Sequence, residues 1–182
     1  RTRSGLAPQP SPKSKCFRDL CGLGSSATLS GGAGVSAALV AGGSGLSSQV
    51  GGPIRSFDHV AVPMQNTEAM VQFYRDLGFT VMEGPSICSV HFGDHKINFH
   101  RPERWQDESF TLRAPAAEPP CGDFCFVWDG TADALRSTLG QAGAEIIEGP
   151  VVRTGGRDGG TASGTSLYIR DPDDNLLEFI IY

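Results

Sequence analysis

The sequence predicts an α+β domain made of two βαβββ modules that curl into a cupped mixed sheet, preceded by a disordered leader. Three observations predict it. The stretches "LGFTVMEGP" (77–85) and "AGAEIIEGP" (142–150) share Gly, Glu, Gly and Pro at 78/143, 83/148, 84/149 and 85/150, a constant offset of 65, the mark of one unit used twice. Each copy follows an alternating strand-like run and a helix-like stretch, and precedes a strand pair. Within the strands, period-two alternation collects polar side chains on one face in both copies.

Residues 1–52 hold 11 glycines, 10 serines, five Lys or Arg and a single acid, Asp19, a composition that cannot bury a core. The stretch is read as a disordered leader. Being Ser-rich, Arg-containing and acid-poor, it fits an organelle transit segment and a plain flexible extension equally, so the expected location is cytoplasmic or organellar. The folded domain is expected over 53–182, with modules at about 54–104 and 121–182.

In the first module, "FDHVAVP" reads as a strand and "NTEAMVQFYRDLG" as a helix with Thr67 as its cap and Gly78 as its stop. After Glu83-Gly84-Pro85 comes the strand pair "SVHFGDHKINFH". The second module repeats the order: strand "GDFCFVW", helix "TADALRSTLGQAG" between Thr131 and Gly143, then the pair "SLYIRDPDDNLLEFI". Here Leu177-Glu178-Phe179 matches Ile97-Asn98-Phe99 at an offset of 80, the extra fifteen residues being mostly the Gly-rich loop "RTGGRDGGTASG". "DPDDN" is a hairpin turn, with Asp171 and Asp173 making turn bonds, Pro172 setting φ and Asn175 taking the left-handed region. It lacks the Gly at position six and Glu at position twelve of a calcium loop. "GGRDGG" lacks the Gly-Lys-Ser/Thr ending of a phosphate loop; it reads as a flexible loop or as a lid bringing Arg153 or Arg157 to an acidic substrate.

Alternation puts Val60, Val62, Ile97, Phe99, Phe124, Phe126, Trp128, Leu177, Phe179 and Ile181 on the helix-facing side. The opposite side carries His59, Asn98, His100, Asp123, Cys125 and Glu178, so polar groups recur there in four strands. An unpaired carboxylate between Leu176 and Ile180 is costly to bury, and a bound cation offsets that cost. Each residue also has a plain reading: His59 as a structural histidine, Glu178 at a watered edge, Asp123 capping a turn, Asn98 bonded to backbone.

Composition narrows the partner. Residues 53–182 carry ten basic and nineteen acidic groups with no basic stripe, which argues against nucleic acid and anionic membrane and for a small molecule. No apolar run reaches the length of a membrane span. Five scattered cysteines lack zinc-module spacing, and Cys121 and Cys125, ~13 Å apart if extended, are too far apart for a disulfide.

The segments "DHVAV", "MVQFYRDLGF", "FGDHKINFH" and "RDPDDNLLEF" together resemble the glyoxalase, bleomycin-resistance and ring-cleaving dioxygenase superfamily, the vicinal oxygen chelate proteins, over about 54–182, and especially its glyoxalase domain-containing members with a "KINxH" strand. The resemblance implies a divalent metal ion, nickel, zinc, manganese or iron, on His59, Asn98, Asp123 and Glu178. It implies a glyoxalase-like lyase or isomerase in which Glu178 is the base and the metal stabilises an ene-diolate, with His100, Arg153 and Arg157 as substrate-binding candidates. Asn98 and Asp123 depart from the ligands usual in glyoxalase I-like enzymes. Two rival functions follow: an Fe(II) ring-cleaving dioxygenase using His59, His100 and Glu178, and a metal-free binding protein of the bleomycin-resistance kind. A homodimer is expected, with sites either shared between chains or built within one.

Overall fold

The computed structural model describes residues 53–182; the leader expected over 1–52 lies outside them. The order is β1 (His59–Pro63), α1 (Thr67–Asp76), β2 (Thr80–Glu83), β3 (Ile87–Phe92), β4 (His95–His100), α2 (Pro102–Trp105), β5 (Asp123–Val127), α3 (Ala132–Gln141), β6 (Glu148–Thr154), α4 (Arg157–Gly160), β7 (Ser163–Arg170) and β8 (Leu176–Ile181). These form two mixed four-stranded sheets, β1-β4-β3-β2 and β5-β8-β7-β6, each with one parallel pair, β1 with β4 and β5 with β8. A parallel pair needs a crossover, which is why a helix follows the first strand of each module. Among the described residues no helix is long and apolar enough to cross a membrane.

The duplicated helices behave as their sequences suggest, with two adjustments. Thr131 caps α3 by accepting a hydrogen bond from the Ala134 N–H, whereas the cap of α1 is Asn66, one residue before the expected Thr67, and its own side chain makes no cap bond. Gly78 and Gly143, at φ +90° and +68°, terminate the helices in the left-handed region that a Cβ disfavours. The repeated Glu-Gly-Pro does not hold one structural position: Glu83 ends β2, while Glu148 starts β6 ahead of a register shift before Val151. Two short helical turns, α2 and α4, occur where no helix was expected.

The helix-side faces of the two sheets share a single core. Val62, Val90, Ile97 and Phe99 of the first sheet and Phe126, Leu167, Ile169, Leu177 and Phe179 of the second belong to one buried cluster with Met70 and Tyr74 of α1 and Leu135 and Leu139 of α3. Edge-on aromatic contacts cross the seam, Phe92 to Phe126 at 5.1 Å and Phe99 to Phe124 at 6.5 Å between ring centroids.

The "DPDDN" turn does more than reverse the chain. Its left-handed residue is Asp174 (φ +66°), not Asn175 as expected. The Asp171 carboxylate accepts from the N–H groups of Asp173 and Asn175, from Asn175 Nδ2 and from Tyr74 OH on α1. Asp173 accepts from the N–H groups of Gln65 and Asn66 at 2.6 and 2.8 Å and from Asn66 Nδ2 at 2.8 Å, anchoring the backbone that leads into α1. Asn175 Oδ1 accepts from the N–H groups of Cys121 and Gly122. This turn therefore clasps the two modules together.

Candidate functional site

On the polar face of the second sheet, register places Cys125, Glu178, Tyr168 and Glu148 in one row across β5, β8, β7 and β6. Asp123 and Leu176 form the next row. Over them lies a hollow of about 360 Å³ lined by Asp123, Glu148, Arg153, Tyr168 and Glu178 with Ile147 and Leu176. Ser166, fully buried on β7, donates its hydroxyl to Glu178 Oε1. That bond holds the carboxylate, and the Tyr168 phenol and the Cys125 thiol also neighbour it. Arg153 Nε donates to Tyr168 OH at 3.0 Å. Burial pushes the Tyr168 phenol up, with Glu178 adding to the effect and Arg153 opposing it. The Cys125 thiol, desolvated and beside Glu178, is pushed up to about 12.

Ile180 sits on this polar face yet is only 1% exposed. The start of β7 packs against it: Gly164 lies so close that an added Cβ would stand 2.7 Å from Ile180 Cγ1 and from the Ile181 carbonyl oxygen. In the Gly-rich loop, the Arg157 guanidinium stacks 4.3 Å from the centroid of Tyr182. Arg157 accordingly lines a different hollow, with Trp128, Asp129 and Tyr182, and not the one over Glu178.

The polar face of the first sheet has its own rows: His59, Lys96 and His91 in one, Ala61, Asn98 and Ser89 in the next. His59 Nδ1 lies 2.6 Å from the Asp58 carboxylate, and that hydrogen bond holds Asp58 below the usual carboxylate range. With Nδ1 engaged, Nε2 is the nitrogen left to a ligand. Asn98 Oδ1 accepts from Ser89 Oγ at 2.7 Å. His100 is buried under Phe110, its ring centroid 5.3 Å away, and burial together with Arg104 lowers its pKa.

Asp123, Glu178 and Arg153 thus share one hollow, whereas His59 and Asn98 lie on the other sheet. Among the described residues no three His, Cys, Asp or Glu side chains gather as a metal-holding group. Imidazole and carboxylate donors suit a divalent cation chemically, and among the described residues they stand on two different sheets. Sequence reasoning missed Tyr168, Ser166, Ser89 and Asp58. The first two were findable, since alternation in "SLYIR" puts Ser166 and Tyr168 on the face of Glu178 once the strands pair.

The chain and its fold match known proteins. A family model described as the Glyoxalase/Bleomycin resistance protein/Dioxygenase superfamily covers residues 56–179. This chain belongs to that superfamily. Among glyoxalase-superfamily relatives, the chain is 35% identical over 131 residues to the glyoxalase domain-containing protein RDO1 of Mycosarcoma maydis, covering 71% of this chain and 69% of that one. It is 34% identical to the virulence protein STM3117 of Salmonella typhimurium, whose crystal structure superposes with a TM-score of 0.61 over 71% of this chain and 98% of the other. The integron cassette protein VCH_CASS1 from the mobile metagenome of V. cholerae is 30% identical, with a TM-score of 0.62 over 71% and 96% of the two chains.

Proposed function

We propose that two copies of this chain complete each other's cup, and that the cup holds a divalent cation and a small substrate with vicinal oxygens, on which it acts as a glyoxalase-like lyase or isomerase. One observation carries the reading. The helix-side faces of one chain merge in a single core, so its two polar faces look outward, and the hollow over Glu178 is lined by the second module alone. The two faces suit one another: His59, Lys96 and His91 on the first, Asp123, Glu148 and Glu178 on the second. Each also exposes an apolar side chain that pairing would cover, Met82 (61% exposed) and Val127 (53%).

In this cup His59 Nε2 of one copy and the Asp123 and Glu178 carboxylates of the other would hold the cation, which when bound supplies Lewis-acid polarisation of a substrate carbonyl. The chain's own residues move the proton. Glu178 would accept it from the carbon beside the carbonyl and return it to the carbonyl carbon while the substrate's hydroxyl proton passes to the former carbonyl oxygen, so that atoms and charge balance. Ser166 donates to Oε1, which fixes the carboxylate on the sheet.

Mixing His59→Ala chains with Glu178→Gln chains tests the arrangement. Neither variant alone should hold stoichiometric Mn²⁺, while a mixture should recover one site in each heterodimer. Recovery of none at any ratio refutes the shared cup. A wild-type protein that binds no divalent ion but does bind small ligands belongs with the metal-free binding proteins instead.

A further inference from the structure

Both modules use one device on their polar face: the site residue of the last strand leans on a serine of the strand before it. In the second module Ser166 donates to Glu178, and in the first Ser89 donates to Asn98 at 2.7 Å. The outcome differs with the side chain. A carboxylate that spends one oxygen on a serine still has a second to offer, whereas an amide that turns its only oxygen sideways offers its NH₂. Ser89 and Asn98 are direct cross-strand partners on β3 and β4, so the carbonyl points along the sheet and away from the cup. On the other flank the paired residue is Ala61, which has no polar side-chain atom, and Asn98 Nδ2 has no hydrogen-bond partner among the described residues.

Resting on the two-copy cup, we infer that Asn98 is a hydrogen-bond donor to the substrate oxygen on which negative charge develops, with Ser89 as its positioning residue, and is not a ligand of the cation. The chemistry of the two modules is then complementary. When Glu178 removes a proton beside a carbonyl, the electron pair moves toward the carbonyl oxygen, and an aimed N–H is what that oxygen requires. A carbonyl at position 98, facing the same oxygen, would repel it. The substrate class follows: a compound with a carbonyl oxygen next to a second oxygen, in which the carbonyl oxygen that the cation would polarise also accepts from Asn98.

The test separates donor from ligand. Asn98→Ala should bind Mn²⁺ within about threefold of wild type, while oxalate, a probe with vicinal oxygens, should bind the Mn²⁺-loaded variant about tenfold more weakly, as expected for one bond to a charged acceptor. Ser89→Ala should leave Mn²⁺ affinity unchanged and weaken oxalate less than Asn98→Ala does. A 10–100-fold loss of Mn²⁺ affinity in folded Asn98→Ala makes Asn98 a ligand and overturns the inference. A second readout uses the diamagnetic Mg²⁺-loaded protein, in which the Asn98 side-chain amide protons should move downfield on adding oxalate; unresponsive protons in protein that binds oxalate refute the donor role. If wild-type protein binds no divalent ion, the cup reading fails and the inference with it, whereas wild-type binding with no loss of oxalate affinity in Asn98→Ala overturns the inference alone.

Discussion

Replacing Asp173 with alanine tests the clasp between the modules. The carboxylate is 6% exposed and accepts three hydrogen bonds, at 2.6, 2.8 and 2.8 Å, two of them from the backbone ahead of α1. Bonds to a charged acceptor contribute about 1.5–3 kcal/mol each. Water can re-enter around the half-exposed Asn66 side chain, so the bonds will not be lost at full value, and the expected destabilisation is about 3 kcal/mol. For a domain of this size that corresponds to a melting temperature about 12 °C lower. Urea unfolding is the assay, and the two tryptophans make it module-specific, because Trp105 lies in α2 and Trp128 follows β5. Both should report one transition, shifted to lower urea with unchanged slope, since the aromatic seam still joins the sheets. A loss under about 1 kcal/mol would show that water replaces the clasp, and the reasoning would then fail. A double-mutant cycle with Asn66→Ala should return a coupling of about 1 kcal/mol or more.

Further expectations concern single residues. His100 has its pKa lowered from 6.5 by burial and Arg104, so the stability it contributes is present above pH 6.5 and is lost as pH falls through the lower folded-state value; urea midpoints between pH 5 and 7.5 should slope less in His100→Gln. Cys125, exposed yet held at about 12, should be labelled by a thiol reagent at pH 8 far more slowly than a free cysteine, about one part in 10⁴ being thiolate, and Glu178→Gln should speed it; equal rates count against the assigned environment. Gly164→Ala drives a methyl against Ile180 and a backbone oxygen, and calorimetry should show a loss of about 1–3 kcal/mol.

Much of the fold was legible because it rests on local pattern. The offset of 65 marked the duplication, Gly78 and Gly143 marked the helix ends, and alternation sorted the strand faces, all of which are nearest-neighbour physics. Placement on a polar face was legible for His59, Asn98, Asp123 and Glu178, since a strand fixes which side each residue takes. Which faces meet was not legible. Both sheets have one apolar and one polar side, and whether two polar sides of one chain close on each other depends on how the modules pack, which no local pattern encodes. The acids of "DPDDN" were readable as turn formers, but their partners lie about a hundred residues away in sequence. Arg157 illustrates the same limit: its ring partner, Tyr182, is chosen by how the loop folds back.

The clasp also bears on how the chain is made. Asp173 and Gln65 are separated by 108 positions, and Asp171 and Tyr74 by 97, so the groups that complete α1 leave the ribosome long after α1 itself. At roughly 5–20 residues per second, the first module waits on the order of ten seconds with an unanchored entry to its helix and a tyrosine hydroxyl without its final acceptor. Most of that module's sheet can form in the interval, but its helix end and the buried phenol cannot settle until the last hairpin appears. A ribosome stalled before Pro172 would therefore display a nascent first module that proteases cut near Asn66, and synthesis of the segment that carries Asp173 would close that site.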